Sequence, residues 1–160
     1  MLTKLQTISP FLWFDHQAEE AAKFYVSVFP NSSITTTTRY TAVGRGPEGS
    51  VMTVAFELDG QQFTALNGGP VFKLTEAISF VVNCNTQQEV DTYWEKLSKG
   101  GEPSQCGWLK DQFGLSWQIV PIALIEMIQD RDNDRATRVF KAMMQMKKLD
   151  LATLKNAYRG

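Results

Sequence analysis

Histidine and cysteine are nearly missing from this chain of 160 residues: there is one histidine, His16, and two cysteines, Cys84 and Cys106. The cysteines form no Cys-x-x-Cys pair, so a zinc site with the usual Cys/His spacing is excluded. Two isolated thiols make no disulfide framework, and the cytoplasm is the expected location, with both thiols reduced. Long apolar runs are absent too; none reaches the roughly 18 residues that a membrane span needs. Residues 1–6 lack the long apolar stretch of a signal peptide. Neither sign of charge is in excess: 16 Lys and Arg stand against 17 Asp and Glu, a formal charge of -1. That balance favours neither nucleic acid nor an anionic membrane as a partner.

What is present is an ordinary globular composition, 43% hydrophobic. The length suits one domain, residues 1–160, able to bury roughly two thirds of its unfolded surface. Residues 8–14 form a short apolar run with Trp13 and two phenylalanines, and read as a strand; Pro10 within it predicts an edge position or a bulge. Asp15 offers an N-cap, Glu19 and Glu20 suit a first helical turn, and Ala18, Ala21, Ala22, Tyr25 and Phe29 recur at helical spacing. Thr- and Ile-rich residues 33–43 predict a strand, and the glycine-rich residues 44–50 a loop. Residues 51–58 alternate, Asp59-Gly60 is a two-residue hairpin signal, and residues 61–67 return.

The pattern then restarts. Residues 77–84 read as a strand, and Asn85 or Thr86 can cap a helix to about residue 99. A short strand is expected near 102–106, then a hairpin of 108–110 and 115–120. A constant offset of 69 sets Ile8 on Ala77, Phe11 on Phe80, Leu12 on Val81, Ala21 on Val90 and Tyr25 on Trp94. The chain therefore reads as two βαβββ modules, 7–70 and 76–121, followed by a helical tail, 122–160. In the tail, 122–128 looks helical, 130–134 is a charged turn, 136–148 carries a methionine-rich stripe, and Asp150 caps a last helix. Repeated units of this kind cannot each bury their own apolar face alone.

Several motifs in this frame carry a family likeness. Ile8-Ser9-Pro10-Phe11-Leu12-Trp13-Phe14-Asp15, with Ala18-Glu19-Glu20-Ala21 and Phe24-Tyr25, resembles the opening of the PhnB-like proteins. These form the "3-demethylubiquinone-9 3-methyltransferase" domain family of the vicinal-oxygen-chelate (glyoxalase/bleomycin resistance/dioxygenase) superfamily. Leu66-Asn67-Gly68-Gly69-Pro70, Glu89-Val90-Asp91 with Trp94, Gly107-Trp108-Leu109-Lys110-Asp111, and Ser116-Trp117-Gln118 fit it as well. The resemblance covers residues 7–125. It implies an α+β fold: two βαβββ modules forming a curved, cleft-enclosing mixed sheet (glyoxalase-like), plus the C-terminal helices, and a homodimer.

The resemblance also implies where a divalent metal would sit in metal-dependent relatives. The four positions fall at Ile8, Thr64 (or Asn67 in a slipped register), Ala77 and Gln118. Ile and Ala cannot bind a metal, and hard cations prefer charged oxygen ligands. No metal or other cofactor is therefore expected. Methyl transfer is not expected either, because an S-adenosylmethionine site of the common type needs a glycine-rich turn between a strand and a helix. Here the glycines of residues 44–49 join two strands.

Among groups capable of other chemistry, His16 reads as a solvated neighbour of the first helix cap. Cys84 and Cys106 read as inert thiols, since no histidine accompanies them. Asp15 and Asp111 read as a cap and a turn residue. Period-two alternation puts Ser116 and Gln118 on one face of the last strand and Trp117 and Ile119 on the other. With the bulky side chains under the helices, Thr64, Asn67, Ser79, Ser116 and Gln118 would line a pocket with Trp108 at its rim. Such a mixture suits a small polar-aromatic ligand. The leading expectation is a protein that binds a small organic molecule in a cleft without the superfamily's metal. One alternative is an enzyme of the same superfamily, a lyase, isomerase or resistance protein, with a metal or cofactor site that the sequence does not reveal. Another is an interaction module presenting Val139, Phe140 and residues 143–146.

Overall fold

The computed structural model describes residues 5–160. The first four, part of the stretch weighed above as a signal peptide, lie outside the described residues. The chain forms two compact units, one ending at Leu74 and one beginning at Thr75.

The first unit is a βαβββ module: β1 (Phe11–Phe14), α1 (Ala18–Val28), β2 (Ser33–Arg39), β3 (Val51–Leu58) and β4 (Gln61–Asn67). The strand order is β1-β4-β3-β2; β1 runs parallel to β4 and the other pairs are antiparallel. Pro10 precedes β1, which is an edge strand as a proline there requires, and its carbonyl accepts from Thr64 N at 3.0 Å. Alternation decides the faces. Leu12 and Phe14, Val54, Phe56 and Leu58, and Phe63 and Ala65 are buried on one side. Ala18, Ala21, Ala22, Tyr25 and Val28 of α1 are buried with them. Tyr25, Phe56 and Phe63 stack in sequence, with ring centroids 6.1 and 5.3 Å apart. Each such side chain contributes about 1.5–3 kcal/mol by leaving water. Asp59 and Gly60 both have positive φ, 46° and 82°, the two left-handed residues of a tight hairpin. The second strand stops at Arg39, short of the expected residue 43. Tyr40 there pairs through its backbone with Gly49 and Ser50 and closes the glycine-rich loop on itself.

The second unit repeats the plan: β5 (Ser79–Cys84), α2 (Gln87–Ser98), β6 (Glu102–Pro103), β7 (Trp108–Lys110) and β8 (Ser116–Pro121), in the order β5-β8-β7-β6. Thr86 caps α2, accepting from Glu89 N at 3.2 Å, while Glu89 Oε2 reaches back one residue past the cap and accepts from Asn85 N at 2.6 Å. The offset of 69 holds in the helices, where Ala21 and Val90, and Val28 and Leu97, are all buried. It fails in the first strands: Leu12 is 5% exposed, and its expected counterpart Val81 is 49% exposed. Asp15-His16-Gln17 separate β1 from α1, whereas Asn85-Thr86 alone separate β5 from α2. The strands therefore match at 70, Leu12 with Val82 and Phe14 with Cys84. A slip of one residue turns every strand side chain to the opposite face.

The tail belongs to the second unit. Helices α3 (Ile122–Ile128), α4 (Asn133–Met143) and α5 (Leu151–Arg159) enclose Leu124, Met127, Val139, Leu149 and Leu154. Asp132 caps α4, so that helix begins and ends earlier than residues 136–148. Asp150 caps α5, accepting from Thr153 N at 2.7 Å. Of the methionine-rich stripe, Met143 and Met146 pack on the tail core, while Phe140 and Met144 are each 49% exposed. Gln87 bridges the tail to α2: its Nε2 donates to Leu149 O at 3.1 Å and its Oε1 accepts from Leu151 N at 2.7 Å. Cys106 N and Gly107 N donate to Met146 O and Lys147 O at 2.8 and 2.7 Å.

Candidate functional site

The open face of the second sheet gathers four of the six residues singled out in the sequence. Ser79 lies opposite Ser116, and Gln118 lies between Val81 and Trp108. All four point away from the face that carries Trp117 and Ile119. Gln118 Nε2 donates to Ser79 Oγ at 2.9 Å, so these two side chains are mutually fixed. Ser116 is 1% exposed. Among the described residues, its Oγ is the buried side-chain polar atom left without a hydrogen-bond partner.

Ser116 and Trp108 line a cavity of about 330 Å³ together with Ser104, Lys110, Glu76 and Glu102. Lys110 Nζ lies 2.5 Å from Glu76 Oε1. The hydrogen bond from Lys110 holds the Glu76 carboxyl below its ordinary range, and the same bond raises Lys110. Sequence reasoning missed these three charged residues. Lys110 was within reach, two positions from Trp108 and so on its face; Glu76 precedes β5 and gave no signal.

Thr64 lies in the first unit, half-buried on the open face of its sheet, opposite Phe11 and Ala55. Asn67 serves a different role from the one expected. Its Oδ1 accepts from Ala18 N at 2.8 Å and its Nδ2 donates to Val51 O at 3.1 Å. It thereby supplies the α1 cap that Asp15 was expected to give; the residue at the cap position is Gln17, with no side-chain cap of its own. Asp15 and His16 are exposed, 3.4 Å apart, at a groove of about 530 Å³ shared with Tyr40, Arg45 and Asn67. Asp111 opens the turn between β7 and β8, as expected of a turn residue, and its side chain does more than turn the chain. Its carboxylate is 3% exposed; Oδ1 accepts from Phe113 N and Leu115 N, and Oδ2 from Trp117 Nε1 at 2.8 Å.

The thiols differ. Cys84 is fully buried at the end of β5, and burial pushes its pKa up to about 11. Cys106 is half-buried at φ 58°, with Sγ 3.6 Å from Met144 Sδ.

At the superfamily's metal positions the side chains are weak or already engaged, and Thr64 offers only a neutral hydroxyl. Ile8 is 88% exposed before β1, and Ala77 is exposed before β5. Asn67 has its amide engaged as above, and Gln118 is bonded to Ser79. Among the described residues no three His, Cys, Asp or Glu side chains come together as a metal would require. These residues do not fit the superfamily's divalent ion.

Two βαβββ modules, each with its own four-stranded mixed sheet, define the vicinal-oxygen-chelate (glyoxalase-like) class. Residues 6–120 match the model of the family described as 3-demethylubiquinone-9 3-methyltransferase, and the chain belongs to that PhnB-like family. A PhnB protein from Bacillus cereus is 38% identical, with 72% of this chain and 99% of that chain covered and a TM-score of 0.65. A protein from Pseudomonas aeruginosa shares the fold at 18% identity, with coverage of 74% and 98% and a TM-score of 0.60. The fosfomycin resistance protein FosX from Listeria monocytogenes also shares it, at 16% identity, coverage of 81% and 100% and a TM-score of 0.55. No curated protein matches the sequence.

Proposed function

We propose that this PhnB-like protein is a cytoplasmic homodimer that binds a small organic molecule without the superfamily's metal, and that the open face of its second sheet is the binding surface. The observation that carries this reading is Ser116. A hydroxyl buried without a partner costs about 1–3 kcal/mol, and this one stands on the wall of a cavity with an aromatic ring and charged groups beside it. A ligand polar group within reach of Oγ would recover that cost. No helix among the described residues is long and apolar enough to cross a membrane, which fits the proposed location.

Native mass spectrometry of protein purified gently from cells is the first test. A metal-free dimer carrying an organic adduct, lost in Ser116→Ala, is the expected result. A stoichiometric divalent metal sinks the metal-free reading and moves the catalytic alternative, a lyase, isomerase or resistance enzyme, to first place. That alternative draws on the ionisable pair Lys110 and Glu76 at the same cavity.

A further inference from the structure

Building on the cavity reading above, we propose that the Ser116 cavity selects a small organic cation, an amine of arylalkyl size. Its ammonium group would donate to Ser116 Oγ and face Glu102, and its apolar part would lie on Trp108. Charge at the site points this way. Two carboxylates, Glu76 and Glu102, and one ammonium, Lys110, line the cavity. Lys110 is held at 2.5 Å by Glu76 and also feels the charge of Glu102, so this single cation serves both carboxylates and leaves the lining one negative charge in excess. Glu102 lies opposite Lys110 in the β6–β7 ladder, yet among the described residues it forms no ion pair of its own. The uncompensated charge is therefore negative, and it stands beside an indole, the aromatic ring that attracts cations best. A carboxylate or phosphate ligand would meet the like charge of Glu102. Ser116 Oγ can accept a hydrogen bond, which an ammonium group always has to give. At about 330 Å³ the cavity lies at the small end of ligand pockets, so a single ring with a short amine arm suits it.

The test compares three probes of one shape at pH 7 by titration calorimetry: 2-phenylethylamine, 2-phenylethanol and phenylacetate. The Trp108 indole N–H signal, assigned through Trp108→Phe, locates any binding. The expected order is amine about tenfold or more tighter than alcohol, with no binding of the carboxylate. Glu102→Gln should remove most of that amine preference, and Ser116→Ala should weaken both amine and alcohol binding. Alcohol binding as tight as amine, or carboxylate binding tighter, overturns the cation inference while leaving the cavity reading intact. Amine binding that ignores both substitutions overturns the inference as well. If none of the three binds the folded protein, the cavity reading falls with it.

Discussion

Replacing Asp111 by asparagine is the sharpest test of how the second module holds its last hairpin. The carboxylate is buried and accepts three hydrogen bonds, two from backbone N–H groups of the turn and one from the Trp117 indole. Asparagine can keep Oδ1 and the two backbone bonds. Its amide N–H₂ then faces the indole N–H, donor against donor. One buried donor left unpaired costs about 1–3 kcal/mol, and losing the charge on the acceptor adds to that. The expected destabilisation of Asp111→Asn is about 2–3 kcal/mol, or about 5–10 °C in Tm for a chain of this size. Asp111→Ala strands all three donors and should cost about 4 kcal/mol. Trp117→Phe removes the conflicting donor, so in that background Asp111→Asn should cost less than about 1 kcal/mol. The coupling in the double-mutant cycle then exceeds about 1 kcal/mol. Urea denaturation followed by far-UV circular dichroism reads all four proteins without depending on tryptophan fluorescence. Additivity of the two substitutions within about 0.5 kcal/mol would refute the indole–carboxylate account.

Four further outcomes are expected. Asn67→Ala should destabilise by about 1–2 kcal/mol in urea melts, because it uncaps α1 and frees Val51 O, whereas Asp15→Ala should stay within about 0.5 kcal/mol. Iodoacetamide at pH 8 should modify Cys106 first, seen by mass spectrometry. Cys84, with its pKa pushed to about 11, is then about one part in a thousand thiolate and should react only in denaturant. The stability held by neutral Cys84 is intact below its ordinary 9.0 and is lost as pH rises towards 11, so Cys84→Ala should flatten that part of the stability–pH profile. Ser116→Ala should raise Tm by about 2–4 °C, the gain of about 1 kcal/mol from removing an orphaned hydroxyl; a loss of stability would mean that the hydroxyl has a partner after all.

The elements were legible because they obey their periods. Leu12 and Phe14, Val54 to Leu58 on alternate positions, and the α2 stripe of Val90 and Leu97 all took the burial their spacing predicts. Local caps were legible too: Thr86 and Asp150 act within three residues of themselves. What escaped was set by tertiary contact. Asp15 had the chemistry of a cap, yet the bond to Ala18 N comes from Asn67, 49 residues away. The offset of 69 was right for the helices and wrong for the strands, because one extra residue between β1 and α1 goes unseen when periods are matched by eye. At the candidate site, alternation placed Ser79, Ser116, Gln118 and Trp108 on one face. It could not show that Glu76, from outside the strands, comes to Lys110, or that Ser116 is left without a partner.

The hydrogen bonds from Cys106 and Gly107 to Met146 and Lys147 bear on how the chain is made as well as on how it stands. The first module has every one of its strand partners in hand once Asn67 has left the ribosome, with more than half the chain still to come. The second cannot finish at β8. The turn leading into β7 keeps two amide groups waiting for carbonyls translated some forty residues later, and Gln87 waits some sixty residues for Leu149 and Leu151. At the usual pace of synthesis that is an interval of several seconds in which one half is complete and the other is not. A ribosome stalled in the tail would therefore present a finished first module beside an unfinished second one, a substrate for chaperones and proteases that the released protein never offers.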